Sequence, residues 1–76
     1  ILSDFPKDKS ILDIGTGSGC IAVSLAKFST SCEITGWDID KEILNIARKN
    51  ARINNTNVFF EHEDICKILL CLLNFN

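Results

Sequence analysis

Apolar and polar residues alternate along the 76-residue chain with two different periods, which predict strands and helices in turn. Short apolar runs at residues 11–14, 33–37 and 58–62 have the length and the β-branched or aromatic content of strands. The stretches 19–27 and 41–52 instead repeat apolar residues at helical spacing. Because a helix between two strands makes them parallel neighbours, this order predicts an α/β fold, a doubly wound parallel sheet of about three strands.

The second predicted helix has the clearer sequence signals. Asp40 is a good N-cap residue, and Glu42 follows in the first turn, where a negative charge complements the helix dipole. Near its other end stand Arg48, Lys49 and Arg52, which most simply form a solvated face. We expect the buried stripe of this helix to consist of Ile43, Ile46, Ala47 and Ala51.

Polar or glycine residues follow each predicted strand at the point where it ends. Gly15, Gly17 and Gly19 form a loop after the first strand, Asp38 follows the second, and Asp64 comes after the third. The carboxyl ends of parallel strands meet at one edge of a sheet, where the ligands of such folds bind. Glycines let the chain turn tightly and let a ligand approach bare backbone. The sequence therefore predicts a ligand site at this edge.

The spacing of these residues narrows the ligand class. The dinucleotide fingerprint G-x-G-x-x-G needs a glycine at position 20, where this chain has Cys20, and a P-loop needs a lysine that the sequence GCIAV does not supply. Asp38 comes nineteen residues after Gly19, a position from which a carboxylate can bind ribose hydroxyls. A nucleoside with free hydroxyls is indicated as the ligand, and a nucleoside triphosphate is not.

The chain resembles the class I S-adenosylmethionine-dependent methyltransferases in three motifs, which read ILDIGTGSG, WDID and HEDI. The resemblance covers about residues 8–66. It implies a Rossmann-like methyltransferase fold, here truncated to about three strands, with S-adenosyl-L-methionine as the cofactor. The cofactor-binding residues that it implies are Asp13, Gly15, Thr16, Gly17, Gly19, Asp38, Ile39, Asp64 and Ile65.

Each of these residues has an implied role. Asp13 would reach the ammonium group of the methionine part, directly or through water, and the loop at 15–19 would pass close to the sulfonium arm. Asp38 would bind the ribose hydroxyls. Ile39 would pack on the adenine face, and Asp64, with the backbone at Ile65, would accept from the exocyclic amine of adenine.

A narrower similarity lies in the longer stretches ILDIGTGSGCIAVSLAK and DIDKEILNIARKNARINN, which are similar to HemK-type release-factor glutamine methyltransferases. This similarity implies that the parent enzyme methylates a glutamine side-chain amide of a peptide chain release factor. Amino-methylating enzymes of rRNA and tRNA share much of the same sequence. One alternative is therefore an RNA amino-methyltransferase. The other is a non-catalytic module that binds an adenine cofactor. An NAD-dependent enzyme is disfavoured by Cys20.

The chain departs from the HemK pattern in one respect that concerns catalysis. That group uses an Asn-Pro-Pro-Tyr segment after the fourth strand to hold the methylated nitrogen, and the only proline of this sequence is Pro6. We therefore expect residues 1–76 to be a partial domain without catalytic residues. In this interpretation, residues 67–76 form a tail that leads into a missing fourth strand, and 65–73 could be helix or strand. The first strand would then present an open edge, which favours self-association.

Charge, apolar run length and cysteine content argue against several other classes, although nucleic acid stays a possible partner. The net charge of −2 gives no basic footprint for nucleic acid, and no apolar run approaches the roughly 20 residues that span a bilayer. Cysteines stand at positions 20, 32, 66 and 71 without a C-x-x-C pair, so we expect no metal site and reduced, partly buried thiols. These features fit a cytoplasmic protein.

Several of these residues also allow plainer roles. Asp13 could be a turn acid that accepts from backbone N–H groups, and Asp64 could simply end a strand. Trp37, Phe59 and Phe60 are more typical of core or sheet-face packing than of a stacking platform for a ligand.

Overall fold

The computed structural model describes residues 8–73, which form a parallel sheet and three helices. Strands and helices alternate as β1 (Ser10–Ile14), α1 (Cys20–Phe28), β2 (Glu33–Asp38), α2 (Lys41–Ile53), β3 (Phe59–His62) and α3 (Ile65–Leu72). The predicted α/β order is confirmed, and the segment that could be helix or strand is a helix. The expected tail toward a fourth strand is helical as far as Leu72, and its residues 74–76 lie outside the described residues.

The sheet has the order β1-β2-β3, and both pairs of neighbours are parallel. The register places Asp13 beside Gly36 and Gly36 beside Phe60, so these three residues share one face of the sheet. All three strands end at the same edge. Within the described residues β1 is an edge strand, as expected, and self-association through that edge stays a prediction.

One face of the sheet is buried under α1 and α2. The core consists of Ala22, Val23, Ala26, Ile34, Leu44, Ala47, Ala51 and Phe60. The expected stripe of α2 is only partly right, because Leu44 is buried with Ala47 and Ala51 while Ile43 is half-buried and Ile46 is 52% exposed. Residues at i, i+3 and i+7 form the row that meets the sheet, and Ile46 lies about a third of a turn away from that row.

The opposite face carries exposed apolar side chains. Leu12, Ile14 and Phe59 are 44%, 51% and 58% exposed, whereas Trp37 is half-buried. Among the residues that the structure describes, Phe60 is the aromatic residue of the core, and Phe59 lies exposed on the other face. At β3, the Arg48 guanidinium donates to the Phe60 carbonyl oxygen at 3.0 Å. A charged side chain at a strand edge disfavours pairing with another strand.

The Phe60 ring packs against two glycines that cannot be replaced without a clash. A Cβ on Gly19 would lie 2.9 Å from Phe60 Cζ and 3.1 Å from Ala47 Cβ. On Gly36, a Cβ would lie 2.7 Å from Thr16 Oγ1 and 2.8 Å from Phe60 Cδ1. The ring thus occupies space that exists only because both residues lack a side chain.

We expect Gly19→Ala to destabilise the protein more than Gly15→Ala. Both glycines have positive φ, +79° and +72°, which costs an alanine about 1–2 kcal/mol. Only Gly19 has neighbours within 4 Å of the added Cβ, and overpacking adds roughly 1–3 kcal/mol. Urea unfolding of the two variants measures the difference in the free energy of unfolding. Equal losses would contradict the packing role of Gly19.

Candidate functional site

The glycine loop is fixed to the end of β2 by backbone hydrogen bonds. The N–H groups of Gly15 and Thr16 both donate to the Trp37 carbonyl oxygen at 2.8 Å. Gly15 and Gly17 have φ values of +72° and +57°, and a Cβ on either would project into open space. Gly19 is buried against the core, although the sequence placed all three glycines against a ligand. Two of the three glycines therefore offer bare backbone at an open surface.

Asp38 joins this loop to the turn that follows β2. Its Oδ1 accepts from the N–H of Asp40 at 3.0 Å, and its Oδ2 accepts from the N–H of Gly17 at 2.9 Å. These hydrogen bonds, that from Asp40 first, lower the pKa of Asp38 below its ordinary value. A carboxylate has about four lone-pair sites, so each oxygen keeps room for a further donor. Asp38 is thus an ionised acceptor at the open edge of the sheet.

Asp13 supports the loop from the helix-covered side of the sheet. The hydroxyl of Thr16 donates to its Oδ2 at 2.9 Å, and Thr16 itself is buried. The plainer role expected for Asp13 was a bond from backbone N–H groups, whereas the bond observed here comes from a side chain. Asp13 and Thr16 therefore lie behind the loop, where they hold its shape.

Asp64 is the N-cap residue of α3. Its Oδ1 accepts from the N–H groups of Cys66 and Lys67 at 3.0 and 3.3 Å. The carboxylate therefore begins a helix as well as following a strand. Ile65 is the first helical residue, so its backbone presents an N–H at the open end of the helix rather than a carbonyl. An accepting role for the backbone at Ile65 does not fit this geometry.

A cleft between the sheet edge and α3 brings five of the nine expected residues together. It is lined by Gly15, Asp38, Ile39, Asp64 and Ile65. Its volume of about 200 Å³ is below the roughly 300–1,000 Å³ of a complete small-molecule site. The space beside it, above Gly15 and Gly17, is open. The cleft therefore fits one part of a longer ligand.

Four residues of the cleft were missed by the sequence interpretation. They are Ile14, Trp37, Glu63 and Cys66. Each is the immediate neighbour of an expected residue, at a strand end or a helix start. The alternation along β1 and β2 could have identified Ile14 and Trp37, because both lie on the face opposite α1 and α2. Thr16 and Gly19, by contrast, are buried.

Residues 8–73 contain neither a cluster of metal ligands nor a membrane-spanning helix. No group of three or more His, Cys, Asp or Glu side chains in that range could hold a metal ion. Among the helices described, none is both long and apolar enough to cross a membrane. No disulfide links the cysteines, but Cys20, Cys66 and Cys71 are exposed rather than partly buried as expected.

Sequence comparisons identify relatives of the chain. Residues 6–76 match the sequence profile of a family described as "Methyltransferase domain". The chain is 45% identical over 65 residues to the release factor glutamine methyltransferase of Bacteroides thetaiotaomicron, covering 86% of this chain and 23% of that protein. It is 47% identical over 66 residues to the release factor glutamine methyltransferase of Lactococcus lactis, covering 86% of this chain and 24% of that protein. The chain spans about a quarter of the length of these relatives.

The fold is also similar to that of a solved structure. The crystal structure of an RNA methyltransferase from Salinibacter ruber in complex with S-adenosyl-L-homocysteine matches with a TM-score of 0.74 and 29% identity. The match covers 83% of this chain and 42% of that chain. It confirms the expected Rossmann-like architecture of parallel strands with crossover helices.

We expect Asp38→Asn to lower stability at neutral pH and to matter less in acid. Because the folded pKa of Asp38 is depressed, its carboxylate stabilises the fold above the unfolded pKa of about 3.9. That contribution is lost as the pH falls through the folded pKa. Urea unfolding of wild type and variant at neutral and acidic pH measures the difference. Glu61→Gln, which changes an exposed carboxylate of β3, is the control. A stability difference that grows in acid would contradict this assignment.

Proposed function

We propose that the chain, which belongs to the family of methyltransferase domains, binds S-adenosyl-L-methionine at the edge formed by the glycine loop, Asp38 and the start of α3. The observation that carries the proposal is the Asp38 carboxylate, held ionised between open glycine backbone and a cleft. We assign residues 1–76 to part of a larger cofactor-binding domain. S-adenosylmethionine supplies a methyl group activated on a sulfonium, and the residues described here would orient it.

The nucleoside part of the ligand is assigned to the cleft. Asp38 accepts from both ribose hydroxyls with the lone pairs that Asp40 and Gly17 leave open. Ile39, which is 62% exposed at the cleft, packs on the adenine face. Asp64 accepts from the exocyclic amine through the oxygen that does not cap α3, while the Ile65 N–H donates to a ring nitrogen. These assignments give the adenine base both a donor and an acceptor.

The methionine part is assigned to the loop after β1. The sulfonium arm passes over Gly15 and Gly17, where no Cβ intrudes. Asp13 attracts the ammonium group, directly or through water. Thr16 holds the Asp13 carboxylate by a hydrogen bond, and Gly19 holds the loop against the core. Four expected residues that do not line the cleft thus have roles in or beneath the loop.

The parent protein is proposed to methylate a glutamine side-chain amide of a peptide chain release factor in the cytoplasm. The names of the relatives at 45% and 47% identity support this substrate. We place the residues that hold the acceptor nitrogen outside these 76 residues, because none of them forms an Asn-Pro-Pro-Tyr segment. Since methyl transfer depends chiefly on positioning, those residues would decide the substrate.

An RNA amino-methyltransferase is the second candidate. The similar Salinibacter ruber structure is that of an RNA methyltransferase. A second cleft of about 420 Å³, beside α2 and β3, is lined by Arg48, Arg52 and Phe59 among others. Guanidinium groups and aromatic rings are side chains that hold RNA bases and phosphates. The net charge of −2 favours the protein substrate over this alternative.

Calorimetry is expected to detect binding of S-adenosyl-L-homocysteine and none of NAD at the same concentration. Asp38→Ala removes the acceptor of both ribose hydroxyls and should weaken binding at least about tenfold, because one hydrogen bond to a charged group contributes roughly 1.5–3 kcal/mol. Glu61→Ala changes a carboxylate of the neighbouring strand β3 that lies outside the cleft, and this variant should bind like the wild type. No binding by a folded wild-type sample, or equal binding by Asp38→Ala, would overturn the proposal.

The acceptor is tested with the full-length parent protein. Incubated with labelled S-adenosylmethionine, it should transfer the methyl group to a release factor and not to rRNA or tRNA. Replacing the target glutamine of the release factor by alanine should abolish labelling. Labelling of RNA would favour the second candidate. Cofactor binding without transfer to either would indicate a non-catalytic module.

A further inference from the structure

His62 holds the backbone of a residue that lines the cleft, although its own side chain does not line it. The residue ends β3 beside Asp38 of β2. Its Nε2 lies 2.8 Å from the carbonyl oxygen of Ile39. A carbonyl oxygen only accepts, so Nε2 carries the hydrogen of this bond.

This bond completes the attachment of the short turn between β2 and α2. The Asp38 carbonyl oxygen accepts from the N–H of Glu63 at 3.0 Å, and the Asp40 N–H donates to the Asp38 carboxylate. The carbonyl of Ile39, between them, is held by His62. The side chain of Ile39 is 62% exposed, so side-chain packing alone does not fix it over the cleft. The hydrogen bond from His62 to the Ile39 carbonyl oxygen therefore contributes most to fixing Ile39 over the cleft.

We propose that His62 is a positioning residue for the adenine part of the ligand, acting through Ile39. The proposal rests on the proposed function, in which Ile39 packs on the adenine face. His62 fixes the direction of the Ile39 Cα–Cβ bond before the ligand arrives. Fixing a contact residue beforehand lowers the cost of ordering it on binding. A ligand without the adenine ring gains nothing from this arrangement.

Two variants of similar side-chain length test the role of the hydrogen. His62→Met keeps apolar bulk and has no donor, whereas His62→Gln keeps an N–H donor. We expect His62→Met to bind S-adenosyl-L-homocysteine about fivefold more weakly than wild type, the equivalent of one neutral hydrogen bond. His62→Gln should restore most of the affinity. Glu61→Ala, on the same strand and the opposite face, controls for changes to β3.

A double-mutant cycle with Ile39→Ala separates positioning from general stabilisation. If His62 acts through the Ile39 side chain, His62→Met should cost almost nothing in an Ile39→Ala background. An equal loss in both backgrounds, or wild-type affinity of His62→Met, would overturn this inference while leaving the proposed function intact. Failure of the wild type to bind S-adenosyl-L-homocysteine would overturn both. A thermal melt without ligand confirms that each variant is folded.

Discussion

The close approach of the Phe60 ring to the backbone of Gly19 and Gly36 is the contact on which the rest of the structure depends. It brings β3, β2 and the start of α1 together around one side chain. Because no other residue type leaves this space, the end of the glycine loop has a fixed position on the core. On the α2 side, Asn50 Nδ2 donates to the Ser18 carbonyl oxygen at 3.0 Å and holds the loop from its other flank. The packing of Gly19 on the core thus shapes the loop, while the backbone at Gly15 and Gly17 stays open.

The three loop glycines are therefore required for two different physical reasons. Gly19 is required by packing as well as by its positive φ, whereas Gly15 and Gly17 are required by φ and, in the proposed function, by the approach of the ligand. Asp38 links the loop to the core, because its carboxylate accepts from the N–H of Gly17 in the loop and from that of Asp40 at the start of α2. A carboxylate already held by backbone N–H groups needs little reordering when a ligand hydroxyl arrives. The same interactions thus stabilise the fold and prepare the site.

The sequence predicted the features that follow from local pattern. The alternation of strands and helices, and the parallel sheet edge that gathers the loop, Asp38 and Asp64, could be derived from periodicity and crossover rules. The buried face of α2 could not, because Ile46 and Leu44 are equally apolar and only the angle of α2 on the sheet selects Leu44. The packing of Gly19 against Phe60 and the bond from His62 to Ile39 join residues far apart in the chain. Local sequence patterns do not indicate such long-range contacts.

Amide chemical shifts of the ¹⁵N-labelled protein, recorded during titration with S-adenosyl-L-homocysteine, test the central assignment of the site most directly. We predict that the largest changes occur at Gly15 and Ile65, which line the cleft, and at Gly17 and Asp40, whose N–H groups donate to the Asp38 carboxylate. Arg52 and Thr56, beside the second cleft, should change little. Changes centred on residues 48–59, or no change in a well-dispersed spectrum, would contradict it.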